Sequence, residues 1–149
     1  MPRWATYLAA LTLGAVLAAC TSSPPAAPQT AAPAGGLEGS SWRLVQINMS
    51  EGAVRPAIDR SRYTIGFGTA GVLNVRFDCN RGRGSWKSAG ANQLEFGPLA
   101  LTRAMCPTGS LHDELVRQWP NVRSYVVKDG RLYLSLVADG GTIEFEPAP

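Results

Sequence analysis

From Leu37 onward the apolar residues of this chain recur at every second position, in short runs cut by Gly, Pro or Asn. That spacing commits the region to strands, because successive side chains of an extended backbone point to opposite faces. Residues 42–47, 63–67, 72–77, 84–87, 93–96 and 99–102 read this way, as do 124–128, 131–137 and 142–146. Asp129-Gly130 stands between two of these runs, and Asp-Gly is a two-residue hairpin signal. Gly68 to Gly71, Gly97-Pro98 and Gly140-Gly141 supply further turns. In the last run Ile143 and Phe145 are placed inward, with Glu144 and Glu146 outward.

One stretch breaks the period. Leu111, Leu115 and Trp119 recur every four residues, Ser110 offers an N-cap with Asp113 three positions on, and Pro120 stops the helix near Trp119. The predicted fold is therefore mainly β (α+β): a small antiparallel sheet, curled or closed into a barrel so that few edges stay exposed, with one helix covering an end or a face. Trp42, Trp86, Trp119, Phe77, Phe96 and Phe145 are assigned to its core.

The front of the chain obeys other rules. Arg3 precedes an uncharged apolar run from Tyr7 to Ala19, which closes as Leu17-Ala18-Ala19-Cys20. The run is too short for the roughly 20 residues of a spanning helix. Its layout resembles a bacterial lipoprotein signal peptide over residues 1–19. The resemblance implies that Cys20 becomes an acylated N-terminus, palmitate among its chains, and two or more chains anchor a protein stably to a bilayer. Thr21 stands where an Asp would signal inner-membrane retention, so the expected location is the periplasmic face of the outer membrane. Residues 20–36 then form a linker of Thr, Ser, Ala, Gln, Gly and Pro, uncharged and without a large apolar side chain, and so unable to fold. Extended at about 3.1 Å per residue, this tether reaches roughly 50 Å.

A domain of about 110 residues remains, at 37–149, a size that builds one core. The formal charge of +3 and the lack of a long polybasic block argue against nucleic acid as a partner. Apart from Cys20, the cysteines are Cys79 and Cys106. An even pair in an exported, oxidising compartment favours a disulfide, closing a loop worth roughly 3.5 kcal/mol. The competing arrangement is a thiol site built from Cys106 and His112, the single histidine of the chain.

Three segments carry a family likeness: Gly39-Ser40-Ser41-Trp42-Arg43-Leu44, Phe77-Asp78-Cys79-Asn80-Arg81-Gly82-Arg83-Gly84-Ser85-Trp86, and residues 94–107 with Phe96-Gly97-Pro98 and Thr102-Arg103-Ala104-Met105-Cys106-Pro107. Together they resemble the META domain of the HslJ-like family, over about residues 37–146. Two departures are visible: Asp78 stands where the family usually has Gly, and Ala104 separates Arg103 from Met105. The resemblance implies a fold, an envelope compartment and a stress-response association, with no catalytic residues.

Among polar positions, Asn80 is read as a turn residue bonding nearby backbone, and Arg103 as a partner for Asp78 or Glu95. Arg76, Arg81, Arg83, Lys87 and Arg103 are either a solvated sheet face or a patch for anionic envelope components such as lipid phosphates. No paired carboxylates, zinc-ligand cluster, phosphate loop or Gly-x-Ser-x-Gly elbow occurs, so no catalytic residue, metal or cofactor is assigned. The expected function is a lipid-anchored, non-enzymatic binding or envelope-stress module, contacting the membrane through its lipid and either anionic envelope components or an envelope protein. The alternative is a barrel that inhibits lysozyme or protease, or that sequesters an apolar ligand. A hollow interior would favour the carrier, and a protruding loop the inhibitor.

Overall fold

The computed structural model describes residue 1 and residues 36–149. Apart from Met1, the expected signal peptide lies outside the described residues, as do Cys20 and all of the expected tether except Gly36.

Ten strands form one antiparallel sheet: β1 (Ser41–Met49), β2 (Val54–Pro56), β3 (Tyr63–Phe67), β4 (Val72–Phe77), β5 (Asn80–Lys87), β6 (Glu95–Phe96), β7 (Ala100–Leu101), β8 (Val122–Lys128), β9 (Arg131–Leu136) and β10 (Gly141–Pro147). The main order is β6-β5-β4-β3-β1-β10-β9-β8, with β2 on β1 and β7 on β5. The sheet curls until its ends almost meet. Gln93 bridges to Ser124, Leu94 N–H donates to the Arg123 carbonyl (3.0 Å), and Tyr125 N–H to the Asn92 carbonyl (2.8 Å). Near-closure leaves little edge for another chain to pair with, and the exposed β2 carries Pro56, which offers no N–H.

The period-two reading explains the core. Tyr63, Ile65 and Phe67 of β3 face Leu73, Val75 and Phe77 of β4 across the ladder and are buried with them. Leu132, Leu134 and Leu136 of β9 and Ile143 and Phe145 of β10 complete the far side. Strand β1 departs from strict alternation: a bulge lies between Leu44 and Gln46, so Val45 is an extra residue and both Leu44 and Ile47 still reach the interior. The single α-helix among the described residues, α1 (His112–Gln118), buries Leu115. It begins one residue later than the Ser110 cap predicts, with Leu111 at the cap position. Asp113 does not close a capping box, although Ser110 Oγ still accepts from His112 N–H (3.2 Å).

Aromatic rings fill one end of the barrel. Phe96 stacks on Trp119 at 4.0 Å between centroids, Phe67 packs on Phe96 at 6.1 Å, and Phe77 meets Trp119 edge-on at 5.2 Å. Trp42 and Phe145 are buried as expected, whereas Trp86 is half-buried, edge-on to Phe67. One expected exposure is corrected. Glu144 does not face solvent but is buried, because Gln46 Nε2 (2.9 Å) and the Arg131 guanidinium close over its carboxylate.

Candidate anion-binding face

Strands β4 and β5 form a tight hairpin in which Phe77 pairs with Asn80, so the turn is Asp78-Cys79. Asp78 takes φ of 58°, the left-handed region that Gly fills without strain and Asp and Asn tolerate best among other residues. The substitution of Asp for Gly brings its own anchor. The Asp78 N–H donates to the Arg62 carbonyl (2.7 Å), and its buried carboxylate pairs with the Arg62 guanidinium, a contact of charges rather than an aligned hydrogen bond. Asp78 is therefore not the partner of Arg103. Glu95 is not either, since it pairs with Lys87 at 3.1 Å.

The hairpin turn is stapled to the segment after β7. Cys79 and Cys106 are bridged, with Cα atoms 5.4 Å apart. A thiol mechanism at Cys106 and His112 requires an unpaired Cys79, and that condition is not met. Asn80 is not a local turn former. Wholly buried at the start of β5, it reaches across 24 residues: its Oδ1 accepts from Ala104 N–H (2.8 Å) and from Thr102 Oγ1 (2.9 Å), and its Nδ2 donates to the Ala104 carbonyl (3.0 Å). The side-chain amide thus mimics a strand, meeting both polar groups of the extra residue, Ala104.

The Arg-Gly-Arg-Gly run has a physical cause. Gly82 and Gly84 are the inward positions of β5, and β7 crosses over them: a β-carbon at Gly82 would stand 2.6 Å from the Ala100 carbonyl oxygen, and one at Gly84 2.9 Å from that of Pro98. Leu99 and Leu101 supply the missing bulk. Arg81 and Arg83 alternate with these glycines and so project outward.

On that outward side Arg76 of β4 stands directly opposite Arg81 of β5. Like charges at opposed positions of a ladder repel. Neither forms a salt bridge among the described residues, although the Asp59 carboxyl, held below its ordinary value by hydrogen bonds from Ser61 and the charge of Arg62, is lowered further by the charge of Arg76; Arg76 Nε donates only to the Asp78 carbonyl (3.2 Å). Arg83, one outward position along, donates from Nε to Asn74 Oδ1 (3.2 Å), which fixes its stem but leaves its charge uncompensated. Thr64 separates this cluster from Arg43 in the same cross-strand row. Two of the five residues predicted for the patch do not join it as free cations. Lys87 is paired with Glu95, and Arg103 lies beyond β7, lining a cleft with Met105, His112 and Val116.

The arginines of β1 and β9 are instead neutralised by the carboxylates of β10. Glu146 accepts from Arg43 Nε (2.6 Å) and Arg60 Nη1 (2.7 Å). Burial works to raise the pKa of its carboxyl, but the hydrogen bonds from the two guanidinium groups outweigh it and hold the carboxyl below its ordinary value. The Arg131 guanidinium is held above its usual range, first by its hydrogen bond to Glu144 and then by that charge. Sequence reasoning missed this network, and it missed Met105, which is 98 % exposed on the stapled loop. The Arg-Ala-Met spacing is the one signal that set the loop apart.

The META domain family matches residues 35–149. The chain belongs to the META domain family. Its fold is shared by a protein from Burkholderia xenovorans solved by NMR (TM-score 0.63, 23% identity, covering 84% of this chain and 99% of that one). It is shared too by a DUF4847 family protein from Bacteroides vulgatus (TM-score 0.56, 14% identity, covering 74% and 93%). A third solved structure gives a TM-score of 0.53 at 20% identity, covering 74% and 91%. No curated protein matches the sequence. At these identities the likeness establishes the META fold, and function rests on the residues of this chain.

Proposed function

We propose that this META-domain chain is a lipid-anchored, non-catalytic binding module of the cell envelope. It is tied through Cys20 to the periplasmic face of the outer membrane and binds anionic, phosphate-bearing envelope components with Arg76, Arg81 and Arg83. The observation that carries this reading is the unneutralised Arg76–Arg81 pair, opposed on an open face while Arg43, Arg60, Arg62 and Arg131 each have a carboxylate. A bound anion removes the repulsion, and planar guanidinium groups bind phosphate oxygens in bidentate fashion. The stacked rings of Phe67, Phe96 and Trp119 occupy the space an apolar-ligand carrier would need.

Two measurements test it. Cys20→Ser should abolish palmitate labelling and move the protein from the membrane to the soluble fraction; unchanged partitioning would refute the anchor. Titration with inorganic pyrophosphate should shift the Nε–Hε resonances of Arg76 and Arg81; resonances that stay put would refute the anion site.

A second reading has one observation of its own. The disulfide-braced loop presents Met105 and Arg103 to solvent, as an inhibitor's probing loop does. Loss of inhibition of a muralytic enzyme or protease on Met105→Ala would favour it.

A further inference from the structure

We infer that the arginine face is occupied by the anionic surface of the bilayer that carries the lipid anchor, so that the domain lies against the membrane on strands β4 and β5. This inference rests on the anion-binding reading above and names the source of the anion.

Shape is the first argument. A site for one free anion is concave and brings donors together from several elements. None of the principal clefts of the domain is lined by Arg76, Arg81 or Arg83. These residues project side by side from a two-stranded hairpin, with Arg76 and Arg81 in one cross-strand row and Arg83 in the next, roughly 7 Å along the strands. An open row of cations matches a plane of head-group phosphates rather than a single enclosed ligand.

Surroundings supply the second argument. Val72 is on the same outward side of β4 as Arg76 and is 37 % exposed, next to exposed Ala70 in the preceding turn. A small apolar tip beside basic residues suits the boundary between head groups and acyl chains, where the apolar part loses water and the cations meet phosphate.

Connectivity supplies the third. Ser41, at the start of β1, pairs with Gly66, Gly66 with Asn74, and Asn74 with Arg83. The chain therefore joins the domain three strand spacings, about 14 Å along the sheet, from Arg83. A lipid at Cys20 holds this end of the domain within tether length of the bilayer and raises the effective concentration of head groups at the face.

The test uses residues 21–149, because the buried core from Leu37 to Phe145 lies wholly within them. Co-sedimentation with phosphatidylcholine vesicles is compared with co-sedimentation with vesicles rich in phosphatidylglycerol. Binding is expected only to the anionic vesicles and should weaken as salt is added. Arg76→Ala/Arg81→Ala should weaken it about 30-fold, two basic residues' worth at an anionic surface. Arg55→Ala/Lys128→Ala removes the same charge from exposed positions elsewhere and should leave binding nearly unchanged. Equal binding to both vesicle types, or equal losses in the two double variants, would overturn the inference. If pyrophosphate shifts the arginine resonances while anionic vesicles retain nothing, the bilayer is wrong and a free anion is the ligand. If neither probe binds, the anion-binding reading falls as well.

Discussion

The outer surface of this sheet has two halves that handle charge in opposite ways. Around β1 and β10, Glu146 joins Arg43 and Arg60, and Glu144 joins Gln46 and Arg131, so these three arginines each have a carboxylate and the acids are held by hydrogen bonds. Around β4 and β5 the cations oppose each other, two inward positions of β5 are glycines, and the turn is held by the Cys79–Cys106 bridge and the Asn80 clamp. The first half is built for stability. The second gives up electrostatic stability on its outer surface and is braced from behind, the pattern expected where a surface must stay available to a ligand.

If that contrast holds, the bridge matters most. Cys79→Ser/Cys106→Ser frees a loop spanning 27 residues and should cost about 3.5 kcal/mol, read as a lower urea midpoint. A cost near zero would mean that Asn80 and the β5–β7 pairing already hold the loop. Asn80→Ala comes next. It removes the acceptor of the Ala104 N–H and the Thr102 hydroxyl and the donor to the Ala104 carbonyl, three part-buried hydrogen bonds worth about 2 kcal/mol together. Asn80→Asp keeps the acceptor but loses the donor to the Ala104 carbonyl and buries a charge, so it should be no milder than Ala.

The stabilised half was harder to read from the chain than the braced one. Period-two alternation placed β3 and β4 at their true bounds because each has one fully buried face. Strand β2 left no such signal: Val54, Arg55 and Pro56 are all exposed and pair only with β1. The same alternation put Glu144 outward, correctly as a direction. Its burial depends on Gln46 and Arg131 from neighbouring strands, whose register a linear pattern does not carry. On the candidate face, the spacing of Arg81 and Arg83 was informative because alternation fixes their side of β5. Arg103 and Lys87 were grouped with them by nearness in sequence, and the pairing of Lys87 with Glu95 and the turn of chain after β7 separated them. Asn80 was read locally, yet its partners lie 24 residues away.

Acid should act on the neutralised half. The Glu146 carboxyl is held below its ordinary value near 4.5 in the folded protein, so its contribution is complete above that value and lost as pH falls through the lower, folded one. Because Arg43 and Arg60 are substantially exposed, solvent limits the contribution to about 1 kcal/mol. Glu146→Gln should therefore lower the urea midpoint at pH 7 and have a smaller effect at pH 3. An equal loss at both values would show that the pairing is not the source.

The smallest expected effect separates the two halves most directly. Arg81→Glu places a carboxylate opposite Arg76 and converts the β4–β5 face to the neutralised kind. Opposed unlike charges on a ladder are worth about 0.5 kcal/mol and opposed like charges cost a similar amount, so the variant should be more stable than the native chain. The gain should shrink as salt is added, since position 81 is exposed and Arg76 only half-buried. The same change should abolish binding to anionic vesicles, so stability and binding move in opposite directions from one substitution. A variant that is less stable, or one that gains stability and still binds, would remove the reason for treating the unpaired arginines as a surface kept open for a ligand.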